Sequence, residues 1–197
     1  MLTKRQKQAI ATKHKIIVFA MELLKTKNYD QVTIKEICDS ASVSVGAFYH
    51  HFQSKDDIID EAFKTFDIEL QEFMDTHTID SCTSAIKLFI EQYLKITNES
   101  GSSVISSIFR LQMSSDEKYV IDNNRYFYNK LNQIIKDGIE NGEFKSYLNS
   151  EDICDWIFRT SRGVIIDWCL HDASYDLVTR GCTDVELVIN SLLNIKK

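Results

Sequence analysis

An all-α fold is what this chain predicts, and three observations predict it. The 197 residues contain no proline and only six glycines, so few helix breakers interrupt them. Apolar residues recur at helical spacing over most of the length. Ser, Thr and Asn stand repeatedly just ahead of acidic residues, the pattern of a helix N-terminus.

The elements follow in order. Ile16, Ala20, Leu23 and Leu24 share one face, with charged residues opposite, which predicts a first helix over 4–27. Asn28 then stands where a left-handed closing residue is wanted. Thr33-Ile34-Lys35-Glu36 is a capping box that opens a second helix over 34–41, and a third is expected over 45–51. Ser54-Lys55-Asp56-Asp57 is a similar box ahead of a fourth helix over 55–75. There Ile59, Ala62, Phe63, Phe66, Leu70, Phe73 and Met74 form one stripe. Helices over 81–98 and 102–113 come next. Ser114-Ser115-Asp116-Glu117 predicts a start for 116–141, Asn149-Ser150-Glu151-Asp152 for 151–171, and Thr183-Asp184-Val185-Glu186 for 183–196. The stretch 172–182 is open between an extension of the eighth helix and a loop. About nine helices result, arranged as a three-helix head over 1–55 and a helical bundle over 56–197.

Charge divides along the same line. Residues 1–55 hold nine Lys/Arg and four Asp/Glu; residues 56–197 hold fourteen and twenty-five. A basic end on an acidic body suits an N-terminal quarter that meets a polyanion. A solvated basic helix face would give the same count. No run of eighteen apolar residues exists, and Glu22 and Lys25 follow the short apolar stretch near the N-terminus too closely for a signal peptide. Five scattered cysteines without a CxxC pair read as free thiols in a reducing cytoplasm.

The segment TIKEICDSASVSVGAFYHHFQSK, Thr33 to Lys55, reads as a short helix, a tight turn and a second short helix. Ile34 and Ile37 face inward from the first, Val43 plugs the turn, and Phe48 and Phe52 face inward from the second. That is a helix-turn-helix, whose second helix fits a major groove. Ser44, Val45, Gly46 and Ala47 open the second helix and are small enough to bring backbone near base edges. Val45 and Ala47 can touch a thymine methyl. Tyr49 and Lys55 have the reach for phosphate oxygens, and Thr33 heads a helix N-terminus that favours a phosphate.

With Ile16, Ala20, Leu24, Tyr29 and Val32, the run from Thr33 and Ile37 through Val43-Ser44-Val45-Gly46-Ala47-Phe48-Tyr49-His50-His51-Phe52 to Ser54-Lys55 resembles the DNA-binding region of the TetR family of bacterial transcriptional regulators. The likeness covers residues 8–60 at motif level; beyond 75 only helical layout and length agree. The family commonly has glycine where this chain has Asn28 and Ser42. The resemblance implies DNA contacts at Thr33, Ser44, Tyr49, His50 and Lys55. It further implies a double-stranded operator, a cytoplasmic homodimer, and a repressor released by a small effector.

In the body, Phe63, Phe66, Phe73, Phe89, Tyr93, Phe109, Met113, Tyr126, Phe127 and Trp156 are candidate lining for an apolar or aromatic ligand, against plain core packing. Arg110, Gln112, Asn123 and Arg162 are candidate polar groups beside them. Ile153, Ile157, Thr160, Gly163, Val164 and Trp168 on the eighth helix, with Val188, Leu192 and Ile195 on the ninth, are candidate dimer contacts. No catalytic constellation is found, no metal site is expected from His50 and His51, and no cofactor is implied. The rival readings are a helical interaction module without DNA binding and a helical enzyme.

Overall fold

The computed structural model describes residues 3–147 and 149–193. Among them nine α-helices run in chain order: α1 Lys4–Leu24, α2 Ile34–Ala41, α3 Val45–His51, α4 Asp56–Asp75, α5 Cys82–Ser100, α6 Ser102–Ser114, α7 Tyr126–Glu140, α8 Ser150–Leu170 and α9 Leu177–Leu192. Short 3₁₀ turns stand at Tyr29–Gln31 and Tyr119–Ile121.

Local chemistry places most of the ends. The Thr33 hydroxyl accepts from the N–H of Glu36, whose carboxylate accepts from the Thr33 N–H at 2.9 Å. Ser54 and Asp57 make the equivalent exchange ahead of α4, with Asp57 reaching the N–H of Gln53 at 2.7 Å. Asn149 accepts from the N–H of Asp152 at 2.7 Å and starts α8. Between α5 and α6 the chain breaks at Gly101, whose φ of 85° suits glycine.

Three expectations need correction. Asn28 is extended, φ −65°, and caps the first 3₁₀ turn rather than closing α1 in a left-handed turn. The Ser114-Ser115-Asp116-Glu117 box opens no helix: Ser115 is extended, the chain makes a 3₁₀ turn, and α7 begins at Tyr126. Lys118 donates to the carbonyls of Gln112 and Ser115, so those groups of the α6 end are satisfied without a new helix. Thr183 lies inside α9, where its hydroxyl donates to the carbonyl of Thr179. The true cap is Asp176, which accepts from the N–H of Thr179 at 2.7 Å.

Two apolar cores result. The head core gathers Ile16, Ala20 and Leu24 of α1, Ile37 of α2, Phe48 of α3 and Phe52. It also takes in Ile58 and Ile59 of α4 and Val104 of α6. The larger core joins α4, α5, α7, α8 and α9 around Phe89, Leu94, Phe127, Leu131, Phe158 and Ile189. Helix α4 serves both cores and is the shaft between them.

Candidate nucleic-acid interface and ligand chamber

The head fixes α2 and α3 through a tight turn. Ser42 closes α2 at φ 52°, and the N–H of Val43 donates to the carbonyl of Cys38 at 2.9 Å. Ser44 caps α3 by accepting from the N–H of Ala47. With Phe48 buried beneath, the opposite face of α3 is presented to solvent: Val45 is 44% exposed and Tyr49 56%, and Ser44, Gly46 and His50 are exposed with them. Ala47 is half-buried. Six of the eight proposed DNA residues thus belong to one short helix and its cap.

The other two have their polar groups engaged by bonds within the chain. The Lys55 ammonium donates to the carbonyls of Tyr29 at 2.6 Å and Val32 at 2.9 Å, and lies 3.9 Å from the Tyr29 ring centre. It ties the segment before α2 to the start of α4. Thr33 is exposed, but its hydroxyl is engaged with Glu36, which also pairs with Lys27 at 2.6 Å. The Lys27 bond and those from Thr33 hold the Glu36 carboxyl down at about 2.

A cavity of about 350 Å³ lies between the head and the body, within the span of about 300–1,000 Å³ common for small-molecule sites. Its wall on the head side is α1, through His14, Ile17, Val18 and Met21. Phe63 and Phe66 of α4, Tyr93 of α5, Ile108 and Phe109 of α6, and Phe127 of α7 supply most of the apolar remainder. Its polar groups separate by place. Glu22 of α1, Lys25 just past its end, and Glu69 of α4, which lies beside His14 and Glu99, form the charged side near α1. Burial first, and Glu99 second, push the Glu69 carboxyl up. Arg125, just ahead of α7, is the other cation in the lining. It grips Asp67 of α4 at 2.9 and 2.8 Å, donates to the Tyr119 carbonyl at 3.0 Å, and stacks 4.6 Å from the Phe63 ring centre.

Of the aromatic candidates, Phe63, Phe66, Tyr93, Phe109 and Phe127 therefore line the chamber. The others lie elsewhere. Phe89 is a core residue with no exposure, Phe73 stacks on His77, and Tyr126 packs at the edge of the body core. Met113 and Trp156 are exposed. Arg110 and Asn123 are exposed, Gln112 is buried and accepts from the N–H of Val120, and Arg162 is half-buried outside the lining. Sequence reading missed Arg125 and the whole α1 wall, because their shared cavity is assembled from segments far apart in the chain.

The candidate dimer stripes divide the same way. Ile153, Ile157, Val164, Trp168 and Leu192 are buried in the core of their own chain, so they offer no surface to a second copy. Val188 is half-buried against that core. Ile195 lies outside the described residues. Thr160 and Gly163 sit on the outward face of α8, in line with Trp156 and Leu170, which are 46% and 77% exposed. All five cysteines are free, and no described helix is long and apolar enough to cross a membrane.

Comparison with known proteins adds relations of three kinds. Residues 16–62 match the model of the bacterial regulatory proteins of the tetR family, and residues 61–191 match that of the C-terminal region of YsiA-like proteins. The chain is 25% identical over 183 residues to the fatty acid metabolism regulator protein of Bacillus subtilis, covering 91% of this chain and 94% of the relative. It is 23% identical over 168 residues to the transcriptional repressor KstR2 of Mycobacterium tuberculosis, covering 82% of each. The crystal structure of FadR from Bacillus subtilis in complex with stearoyl-CoA shares the fold at a TM-score of 0.70 and 22% identity, covering 91% of this chain and 98% of that one.

Proposed function

The chain belongs to the TetR family of bacterial regulatory proteins, and from that premise we propose a repressor whose operator is released by a long-chain acyl thioester of coenzyme A. Residues 1–55 are its DNA-binding part and 56–197 its effector-binding and dimerisation part. One observation carries the reading: the apolar chamber is walled on one side by α1 of the head and on the others by the body. A ligand filling it touches both parts, so its binding energy depends on how the head sits. The length of the match to a regulator of fatty acid metabolism supports the acyl class.

On DNA, Val45 and Ala47 of α3 read bases, while Ser44, Tyr49 and His50 hold the phosphate backbone. Two copies joined through the outward face of α8 present two such helices to a pseudo-palindrome. Ligand and operator then bind antagonistically, each weakening the other by the same factor, about 5–150-fold for a typical coupling of about 1–3 kcal/mol.

Fluorescence anisotropy on the DNA flanking the protein's own gene tests this, with and without dodecanoyl- or octadecanoyl-CoA. The expected result is salt-sensitive binding that the acyl-CoA weakens and free CoA leaves unchanged. Operator binding indifferent to every acyl-CoA would end the effector reading. Absence of sequence-specific binding would end the operator reading.

A further inference from the structure

Tyr93 stands apart from the other polar groups of the chamber. It sits on α5 with its ring packed against Phe127 and Phe66, centres 4.6 and 5.5 Å away, and it is 9% exposed. Its hydroxyl has no hydrogen-bond partner among the described residues, although the side chain lines the cavity. The hydroxyl opens onto the chamber, so a ligand oxygen can take the place of water on it, for a net gain of about 0.5–1.5 kcal/mol. Burial pushes the phenol up to about 12, so it stays a donor at neutral pH, and the nearby Arg162 and Arg125 only moderate that.

The charges around the chamber say which ligand atom this donor meets. Glu22, Glu69 and Glu99 make the α1 side unfavourable for an electronegative group, and Lys25 there is already paired with Glu22 at 2.7 Å. Arg125 is held against the aromatic cluster that also contains Tyr93: it stacks beside Phe66 and Phe127, the two rings that pack on Tyr93. Three of its N–H groups are engaged by Asp67 and Tyr119, out of the five a guanidinium carries. Thr65, Thr97 and Ser100 also line the chamber, but their hydroxyls donate to the carbonyls of Glu61, Tyr93 and Ile96.

We propose that Tyr93 is the chamber's acyl-oxygen donor, receiving the carbonyl or carboxylate oxygen of the ligand with Arg125 beside it while the hydrocarbon chain lies among Phe63, Ile108, Phe109 and Met21. The proposal rests on the acyl reading above and narrows it to a contact. The oxygen belongs either to a thioester or to a free fatty acid, and a site built to bond that oxygen rejects a ligand lacking it.

Calorimetric affinities test it on the full chain with dodecanoyl-CoA, the thioether S-dodecyl-CoA, which keeps the chain and the nucleotide but has no carbonyl, and dodecanoate. Wild type is expected to bind dodecanoyl-CoA about tenfold more tightly than the thioether, and Tyr93→Phe to remove that difference by weakening the thioester alone. Tyr93→Phe deletes one oxygen at the cavity wall, and an unchanged thioether affinity shows that the chamber is intact. Equal affinities for thioester and thioether in wild type would overturn the Tyr93 assignment while leaving acyl-CoA as effector. Tyr93-dependent binding of dodecanoate without binding of either CoA compound would keep the assignment and overturn the CoA reading. Binding of none of the three would overturn both.

Discussion

Lys55 illustrates how a residue type can mislead when read alone. In sequence it is a cation at the end of a helix-turn-helix, where a phosphate would suit it. In the structure its ammonium satisfies the carbonyls of Tyr29 and Val32, and the Tyr29 hydroxyl in turn donates to Asp56. Lys55→Ala should therefore lower head stability by about 1–3 kcal/mol, the range for charge-assisted bonds and for leaving carbonyls unpaired. Urea unfolding measures it, and an unchanged midpoint would return Lys55 to the DNA surface. Glu36 gives a pH dependence with a definite sign. Its folded value, about 2, lies below the ordinary 4.5, so its contribution is present above about 4.5 and lost as pH falls toward 2. The thermal midpoints of wild type and Glu36→Gln should differ near neutral pH and converge across that acid window. What was legible at this scale was local: the start signals at Thr33, Ser54 and Asn149 bond within three residues of themselves, and sequence shows both partners.

At the scale of helices, periodicity finds the face that is buried in the monomer, and this decides what could be read. The stripe Ile153, Ile157, Val164 and Trp168 is a core stripe, although the sequence equally suits a seam between copies. The outward line of Trp156, Thr160, Gly163 and Leu170 is weaker in hydrophobicity and was only partly visible. The misplaced starts of α7 and α9 have a related cause. A hydroxyl residue ahead of an acid is a cap only if the chain before it leaves the helix, and Thr183 shows the same letters inside one. A Cβ at Gly163 would meet nothing within 4 Å in its own chain. Gly163→Arg should therefore preserve helix content and thermal stability of the protomer while shifting sedimentation toward monomers. Leu192→Asp, 2% exposed in its own core, should unfold the chain instead. A Gly163→Arg protein that sediments as wild type would place the seam elsewhere.

For the molecule as a whole, the sequence shows a basic first quarter ahead of an acidic, aromatic remainder. The chamber between them was not legible, because α1, α4, α5, α6 and the turn before α7 contribute to it from separate stretches. The pair Asp67–Arg125 fastens the shaft helix α4 to that turn, with both side chains largely buried. Asp67→Asn should lower the thermal midpoint, since it leaves a buried guanidinium short of its partner. It should also reduce the factor by which an acyl-CoA weakens operator binding, while operator affinity without ligand changes less. Anisotropy titrations at several ligand concentrations separate those quantities, and an undiminished factor would show that α4 is moved by other contacts.

Pressure acts on volume that water fills poorly, and the apolar chamber of about 350 Å³ is where a ligand would change that volume most. Unfolding under pressure releases a volume that scales with the voids it eliminates, so the ligand-free chain should unfold at lower pressure than the same chain with its chamber filled. Trp168 is placed to report it: it is 3% exposed on α8 and its indole N–H donates to the Tyr175 carbonyl at 3.1 Å. Its fluorescence under compression should lose the buried indole signal early without ligand and late with dodecanoyl-CoA. Coincident transitions would mean that dodecanoyl-CoA does not bind the folded chain. On the proposed reading, the space between α1 and the bundle that admits an effector is also the space that compression probes.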